Sequence, residues 1–164
     1  MLLVRYGLIP EVARFTVDDG DASPARGTHV VVETHRGLLP GLVLGPVPPP
    51  REPDAEPPAP SGRIVRTMTA ADHATPPAAP TEYGDWLARI ADWNVDVELL
   101  DVERSLDGEK TTLYVLNGRD AAPTKLALQA AAAGLGLIDV QPVTADGLVP
   151  PEPSGGGCGT CGHG

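Results

Sequence analysis

Leu99-Leu-Asp-Val-Glu-Arg-Ser-Leu-Asp-Gly-Glu-Lys-Thr-Thr-Leu-Tyr-Val-Leu-Asn-Gly-Arg-Asp120 is the stretch that decides the fold. It divides into two apolar runs around Leu106-Asp107-Gly108-Glu109. Asp-Gly supplies a positive φ without a Cβ clash, so it can join two antiparallel strands in a tight turn. The arms of this hairpin are predicted over 95–104 and 110–117. In the first arm, Val95, Val97 and Leu99 share one face and Asp96 and Glu98 the other. Beyond Leu99-Leu100 the parity reverses, and Asp101 and Glu103 fall where Val95 stood. A period-two strand allows this only if it bulges or twists near Leu99-Leu100. We read all four carboxylates as facing solvent, against the alternative of a gathered metal or acid–base cluster.

Downstream, a helix is expected from Ala122 to Ala133, with Pro123 in its first turn and Gly134 and Gly136 at its end. A strand over 137–143 follows. Upstream, a helix is expected from Glu82 to about Trp93, N-capped by Thr81, with Glu82 and Asp85 near its positive end. Trp86, Leu87, Ile90 and Trp93 give it one apolar stripe. Before it lie a loop over 68–80 and a short strand from Arg63 to Thr67. The order β-α-β-β-α-β over 62–145 is that of a ferredoxin-like unit.

The beginning of the chain is different. Short β-type runs at 2–6, 11–17, 28–34 and 38–44, cut by Gly and Pro, predict a small β-barrel or curled sheet over 1–45. Pro46 to Pro60 holds eight prolines and reads as an extended linker or surface excursion, 46–61. Residues 146–164 form a Gly-rich tail. The fold class is therefore α+β.

Composition narrows the function. Aromatic residues are 4% of the 164, so the cores must be built mainly from Val, Leu and Ala. The net charge is −10, with seven basic and nine acidic side chains in 1–80 and five basic and thirteen acidic in 81–164. Nucleic-acid binders draw most of their affinity from Lys and Arg on phosphates, so direct nucleic-acid binding is disfavoured. No apolar run reaches the ~18 residues of a membrane span, and no basic-then-apolar leader is visible. A cytoplasmic location is expected, and two cysteines do not make a secreted disulfide framework.

The constellation with ligand character is Cys158-Gly-Thr-Cys161-Gly-His163. A C-x-x-C pair can chelate one soft metal ion and His163 can add an imidazole, for zinc or an iron–sulfur cluster. That is at most three ligands, so a closed site needs another contributor. The bland alternative is a flexible end with two free thiols. His29, His35 and His73 stand without a catalytic partner in sequence and read as structural or exposed. Arg5, Arg36 and Arg66 would serve an anion or partner site, or more simply pair with surface carboxylates. No nucleophile elbow, Walker-type loop or His-Glu-x-x-His is present.

The hairpin resembles the segment "dVEyxxDgxKxxFYfxaxxRvD" of the RicT (YaaT) proteins, bacterial members of the polymerase-suppressor C-terminal-domain family. Two further blocks are similar in the same order. Val4-Arg-Tyr6, Thr28-His-Val-Val-Val-Glu-Thr-His-Arg-Gly37 and Gly41-Leu-Val-Leu-Gly45 resemble "VgVrF … GdxVVVETxRGxexGxVv". Gly62-Arg-Ile-Val-Arg66 with Thr69-Ala-Ala-Asp72 resembles "IxRxaTxeD". The family's basic "RvDFRxLvkdLA" stands here as Arg119-Asp120 followed by Ala121-Ala122-Pro123, and of its C-terminal Cys motifs only Cys158 and Cys161 are seen, so the chain reads as a shortened relative. The resemblance implies a non-catalytic adapter or regulator working by protein–protein interaction in a complex linked to RNA processing or developmental signalling. RicA- and RicF-like proteins or an RNase Y-like endonuclease would be its partners. The alternative is a metal- or iron–sulfur-binding protein whose tail is the active part.

Overall fold

Valine- and leucine-rich runs too short for helices build the N-terminal half. The computed structural model describes residues 1–18, 22–48, 59–116 and 121–149. Strands β1 (Leu2–Tyr6), β2 (Glu11–Thr16), β3 (His29–Thr34), β4 (Gly37–Pro46) and β5 (Gly62–Thr67) close a barrel in the order β1-β2-β5-β3-β4. Alternate residues point inward: Leu2, Val4 and Tyr6 of β1, Phe15 of β2, Val30 and Val32 of β3, Leu39 and Val43 of β4, and Ile64 of β5. Tyr6 and Phe15 meet edge to face at 5.2 Å.

The fifth strand corrects one expectation. Gly62–Thr67 does not open a ferredoxin-like sheet with the second half; it pairs parallel to β2 and antiparallel to β3. The four runs before it leave β2 and β3 with open edges, and β5 closes both while Ile64 fills the interior. A Cβ on Gly62 would stand 1.9 Å from the Glu33 carbonyl oxygen, so only glycine permits this approach. The barrel thus extends beyond 1–45 to include 62–67. Residues 49–58 of the expected linker lie outside the described residues.

The 68–80 loop contains a short helix, α1 (Ala70–Ala74). Thr69 and Asp72 form its capping box, a local pattern that three nearby prolines masked. Helix α2 (Glu82–Asp92) forms as expected, but Thr81 makes no capping hydrogen bond. The Glu82 carboxylate turns back instead to accept the Ala79 N–H at 3.2 Å and the Arg104 guanidinium at 2.8 Å. Of its apolar stripe, Trp86 and Ile90 are buried and Leu87 is exposed.

Strands β6 (Glu98–Arg104), β7 (Lys110–Leu116), β8 (Leu137–Thr144) and β9 (Gly147–Leu148) form a second sheet in that order. β6 and β7 are the expected hairpin, with Gly108 at φ +74°. The bulge also stands where parity demands it: Leu99 pairs with Val115 and Asp101 with Tyr114, leaving Leu100 extra. Its effect is to keep Leu99 and Val102 on one face, under α2 and α3 (Ala122–Ala132). Trp86, Ile90, Leu113, Val115, Leu126 and Ala130 complete that core. α3 carries the chain across to β8, parallel to β7. Order continues past 146, since Gly147–Leu148 pairs with β8.

Candidate functional site

The other face of the hairpin meets the barrel, and there the chain buries charge. Parity puts Glu103, Thr112 and Tyr114 on that face. From the barrel comes Arg36, in the β3–β4 turn. Thr34 Oγ1 accepts the Arg36 N–H and donates to the Gly37 carbonyl, both at 3.1 Å, while Gly37 takes φ +97°. A Cβ on Gly37 would stand 2.9 Å from the Ser105 Cβ, so the turn needs glycine both for its dihedral and for its contact with the hairpin.

The Arg36 side chain is fully buried. Its Nη1 donates to the Tyr114 hydroxyl at 2.6 Å and its Nη2 pairs with Glu11. Its guanidinium carbon lies 5.3 Å from the Tyr6 ring centroid and 5.9 Å from that of Tyr114. Tyr114 in turn donates to Glu103 Oε2 at 2.5 Å, and Glu103 Oε1 accepts the Leu8 N–H at 2.7 Å. Arg36 and Tyr114 are 78 positions apart, Leu8 and Glu103 95. Two further bonds clamp the same seam: Leu106 N–H to the Leu38 carbonyl at 2.8 Å, and Lys110 Nζ to the His35 carbonyl at 2.7 Å.

Burial, reinforced by Glu103, pushes the Tyr114 phenol far up, so it stays protonated and donates. Burial also raises the Glu103 carboxyl, outweighing the Tyr114 and Leu8 donors and the Arg36 charge. For Arg36, burial opposes the charge, but Tyr114, Glu11, Tyr6 and Glu103 together overcome it and hold the guanidinium cationic. Both Glu103 oxygens accept and the Tyr114 oxygen both donates and accepts, so these groups are committed to one another. Their chemistry is that of a rigid joint.

Beside the joint opens a cleft of about 580 Å³. One wall is the outer face of the barrel, where Arg5 and His29 flank Leu42 on neighbouring strands. The other is the segment Thr75-Pro-Pro77, tied down by the Arg104 N–H on the Pro77 carbonyl at 2.5 Å. His73 of α1 closes one end, edge to face against His29 at 5.0 Å. α1 is itself anchored by Asp72, which takes Arg66 through both oxygens, at 2.5 and 2.8 Å, and the Thr69 N–H at 2.7 Å. Arg66, followed by Thr69, holds the Asp72 carboxyl well below the usual range.

The expected site residues fare unevenly. Arg66 is the surface ion pair expected of it, and Arg5 is exposed in the cleft. Arg36 corrects the surface reading: it is interior. Asp96, Glu98 and Asp101 are exposed, whereas Glu103 corrects the solvent-facing reading at 2% exposure. A signal for this was legible, because the bulge puts Glu103 on the same hairpin face as Tyr114; its cation was not, being supplied from another strand pair. His29 and His73 are exposed and touch each other, and His35 is exposed. No group of three or more His, Cys, Asp or Glu side chains placed to hold a metal occurs among the described residues. Cys158, Cys161 and His163 lie outside the described residues, as do Arg119 and Asp120.

These features define a class: an α+β protein in which a closed five-stranded barrel is joined by a buried polar seam to a four-stranded mixed sheet. No family model matches the chain, and no curated protein or solved structure matches it either. No helix among the described residues is long and apolar enough to cross a membrane.

Proposed function

We propose that the chain is a non-catalytic adapter of the RicT type, acting in the cytoplasm within a multi-protein complex linked to RNA processing or developmental signalling. RicA/RicF-like proteins or an RNase Y-like endonuclease are its proposed partners. One observation carries the reading. The residues on which the resemblance rests, scattered through three blocks of sequence, have connected structural roles. Arg36 and Gly37 of the first block meet Glu103, Lys110 and Tyr114 of the hairpin block across the joint. Arg66, Thr69 and Asp72 of the middle block build and anchor α1 at the cleft. Polar residues spent on a fixed geometry suit a scaffold that presents a surface better than they suit a proton-transfer site. The test is affinity purification of the full chain from native extract, with mass spectrometry and RNA-decay profiling of a deletion strain. Stoichiometric partners and altered RNA processing are expected; a chain that purifies alone, with unchanged RNA, would overturn the reading.

A second reading is favoured by the Cys158-x-x-Cys161-x-His163 spacing: zinc or an iron–sulfur cluster held by the tail together with a partner chain. Metal and sulfide content per chain, after purification without oxygen, decides it. The expected result is metal retained by the wild type and lost in the Cys158→Ser/Cys161→Ser variant. Equal emptiness of both, with partners present, overturns it.

A further inference from the structure

Arg26, Arg36, Arg63, Arg66 and Arg104 each direct the guanidinium at a carbonyl or a carboxylate. Arg5, Arg14 and Arg89 do not, among the described residues, and of these three it is Arg5 that is exposed in the wall of the cleft. The acidic groups that line the cleft are already engaged: Asp72 by Arg66 and Thr69, Glu103 by Tyr114 and Leu8. Arg104, the other cation of the cleft, is held by Glu82. A chain of net charge −10 therefore keeps a cleft in which, among the described residues, the uncommitted charge is positive, with two imidazoles at its end. Between the charges the surface is apolar, formed by Leu42, Met68, Leu106, Pro40 and Pro76.

Spacing adds to this. Arg5 and His29 both pair with Leu42, one on each side, so their backbones stand two strand spacings apart, about 10 Å. Side chains two residues apart on an extended peptide emerge ~7 Å apart, and two flexible carboxylates readily span the difference. An apolar side chain between them would rest on the Leu42 row. The cleft offers no exposed aromatic platform for a base, since Tyr6, its aromatic lining residue besides the histidines, is 6% exposed. A long phosphate chain would also meet the unfavourable net charge of −10.

We propose that this cleft is the docking groove for an acidic, aliphatic peptide segment of a partner protein, with one carboxylate on Arg5, a second at His29 and His73, and aliphatic side chains on Leu42, Met68 and Leu106. The proposal rests on the adapter reading for its biological meaning, and supplies the chemistry of the partner.

The probe is a fluorescein-labelled Leu-Glu-Leu-Glu-Leu peptide titrated into the full chain, beside Gln-for-Glu and Lys-for-Glu versions and a twelve-nucleotide single-stranded RNA. The Glu peptide should bind at least about tenfold more tightly than the others and weaken with added salt. Amide shifts should change at Arg5, Leu42, Met68 and His73. Arg5→Glu should lower the affinity about tenfold or more at unchanged Tm, Arg5→Lys should restore most of it, and Met68→Asp should weaken binding independently of Arg5. Equal binding of all peptides, shifts confined to another face, indifference to Arg5→Glu and Met68→Asp, or preference for the RNA would each overturn the proposal. The wild type and Arg5→Glu are then compared in the native-extract purification. If both retain the same partners, the groove proposal fails and the adapter reading stands; if the wild type retains none, it is the adapter reading that fails.

Discussion

Phe15 and Arg36 are equally inaccessible to water, one inside the barrel and the other at its seam with the second sheet. Phe15 lies among Leu2, Val4, Tyr6, Val30, Val32, Leu39, Val43 and Ile64, and any side chain of similar volume would bury similar apolar area. Arg36 is surrounded by a tyrosine hydroxyl, a carboxylate and two ring faces, each at a fixed place. Apolar burial is non-directional and makes the barrel stable. The seam is directional: moving either half by an ångström breaks hydrogen bonds whose groups cannot reach water. Its net contribution to stability is small, because desolvating Arg36 and Glu103 offsets much of what they gain. What the seam contributes is a single relative orientation of barrel and sheet, and that orientation shapes the cleft.

The largest expected effect is the removal of the central cation. Arg36→Ala leaves Glu11 without its ion pair, the Tyr114 hydroxyl without its donor and the buried Glu103 without a nearby cation, and should cost about 3–5 kcal/mol in chemical denaturation. Phe15→Leu, by contrast, should cost about 1 kcal/mol, since hydrophobic volume is nearly kept. If the two changes cost the same, the seam is not the strict device described. Removing one oxygen is the next step down. Tyr114→Phe deprives both Arg36 Nη1 and Glu103 Oε2 of their partner and should cost about 1–3 kcal/mol. A neutral result would mean that water replaces the hydroxyl.

Gly108→Val tests the hairpin itself, away from the seam. Its φ of +74° strains a β-branched residue, so a loss of about 1–3 kcal/mol is expected in the same assay. No effect would mean that the turn changes type freely.

Acid titration should sharpen the contrast further. Glu103 is raised by burial above the ordinary Glu value of about 4.3, so the folded state binds its proton more tightly than the unfolded chain. Stability from this group is therefore greatest at low pH and falls as pH rises from about 4.3 through the folded pKa. Asp72 runs the other way: held low by Arg66, it stabilises above the ordinary Asp value of about 3.9 and loses this as pH falls. Glu103→Gln should remove the first dependence and leave the second. Superimposable pH–Tm curves for wild type and variant would contradict the assignment.

The smallest effect belongs to the tail. Residues 151–164 have no strand or helix periodicity in sequence, and deleting them should leave Tm within a few degrees. Loss of secondary structure on that deletion would make the tail part of a core.

What the sequence by itself determined was local. The hairpin, the bulge at Leu99-Leu100, the helices beginning at Glu82 and Ala122, and the five barrel strands as separate elements follow from turn chemistry, side-chain parity and helix-end residues lying within a few positions of one another. Tertiary structure decided where distant edges and faces meet. Ile64 and Gly62 fit either sheet by pattern, and only the open edges of β2 and β3 drew β5 into the barrel. Thr81 has a capping side chain, yet the helix start is served by Glu82, which reaches back three residues to the Ala79 N–H and is held there by Arg104 from the hairpin. Arg36 and Glu103 read as surface charges because a charged residue is buried only when its partners are there to receive it. Those partners come together across 78 residues of chain, a distance over which periodicity and turn chemistry carry no information.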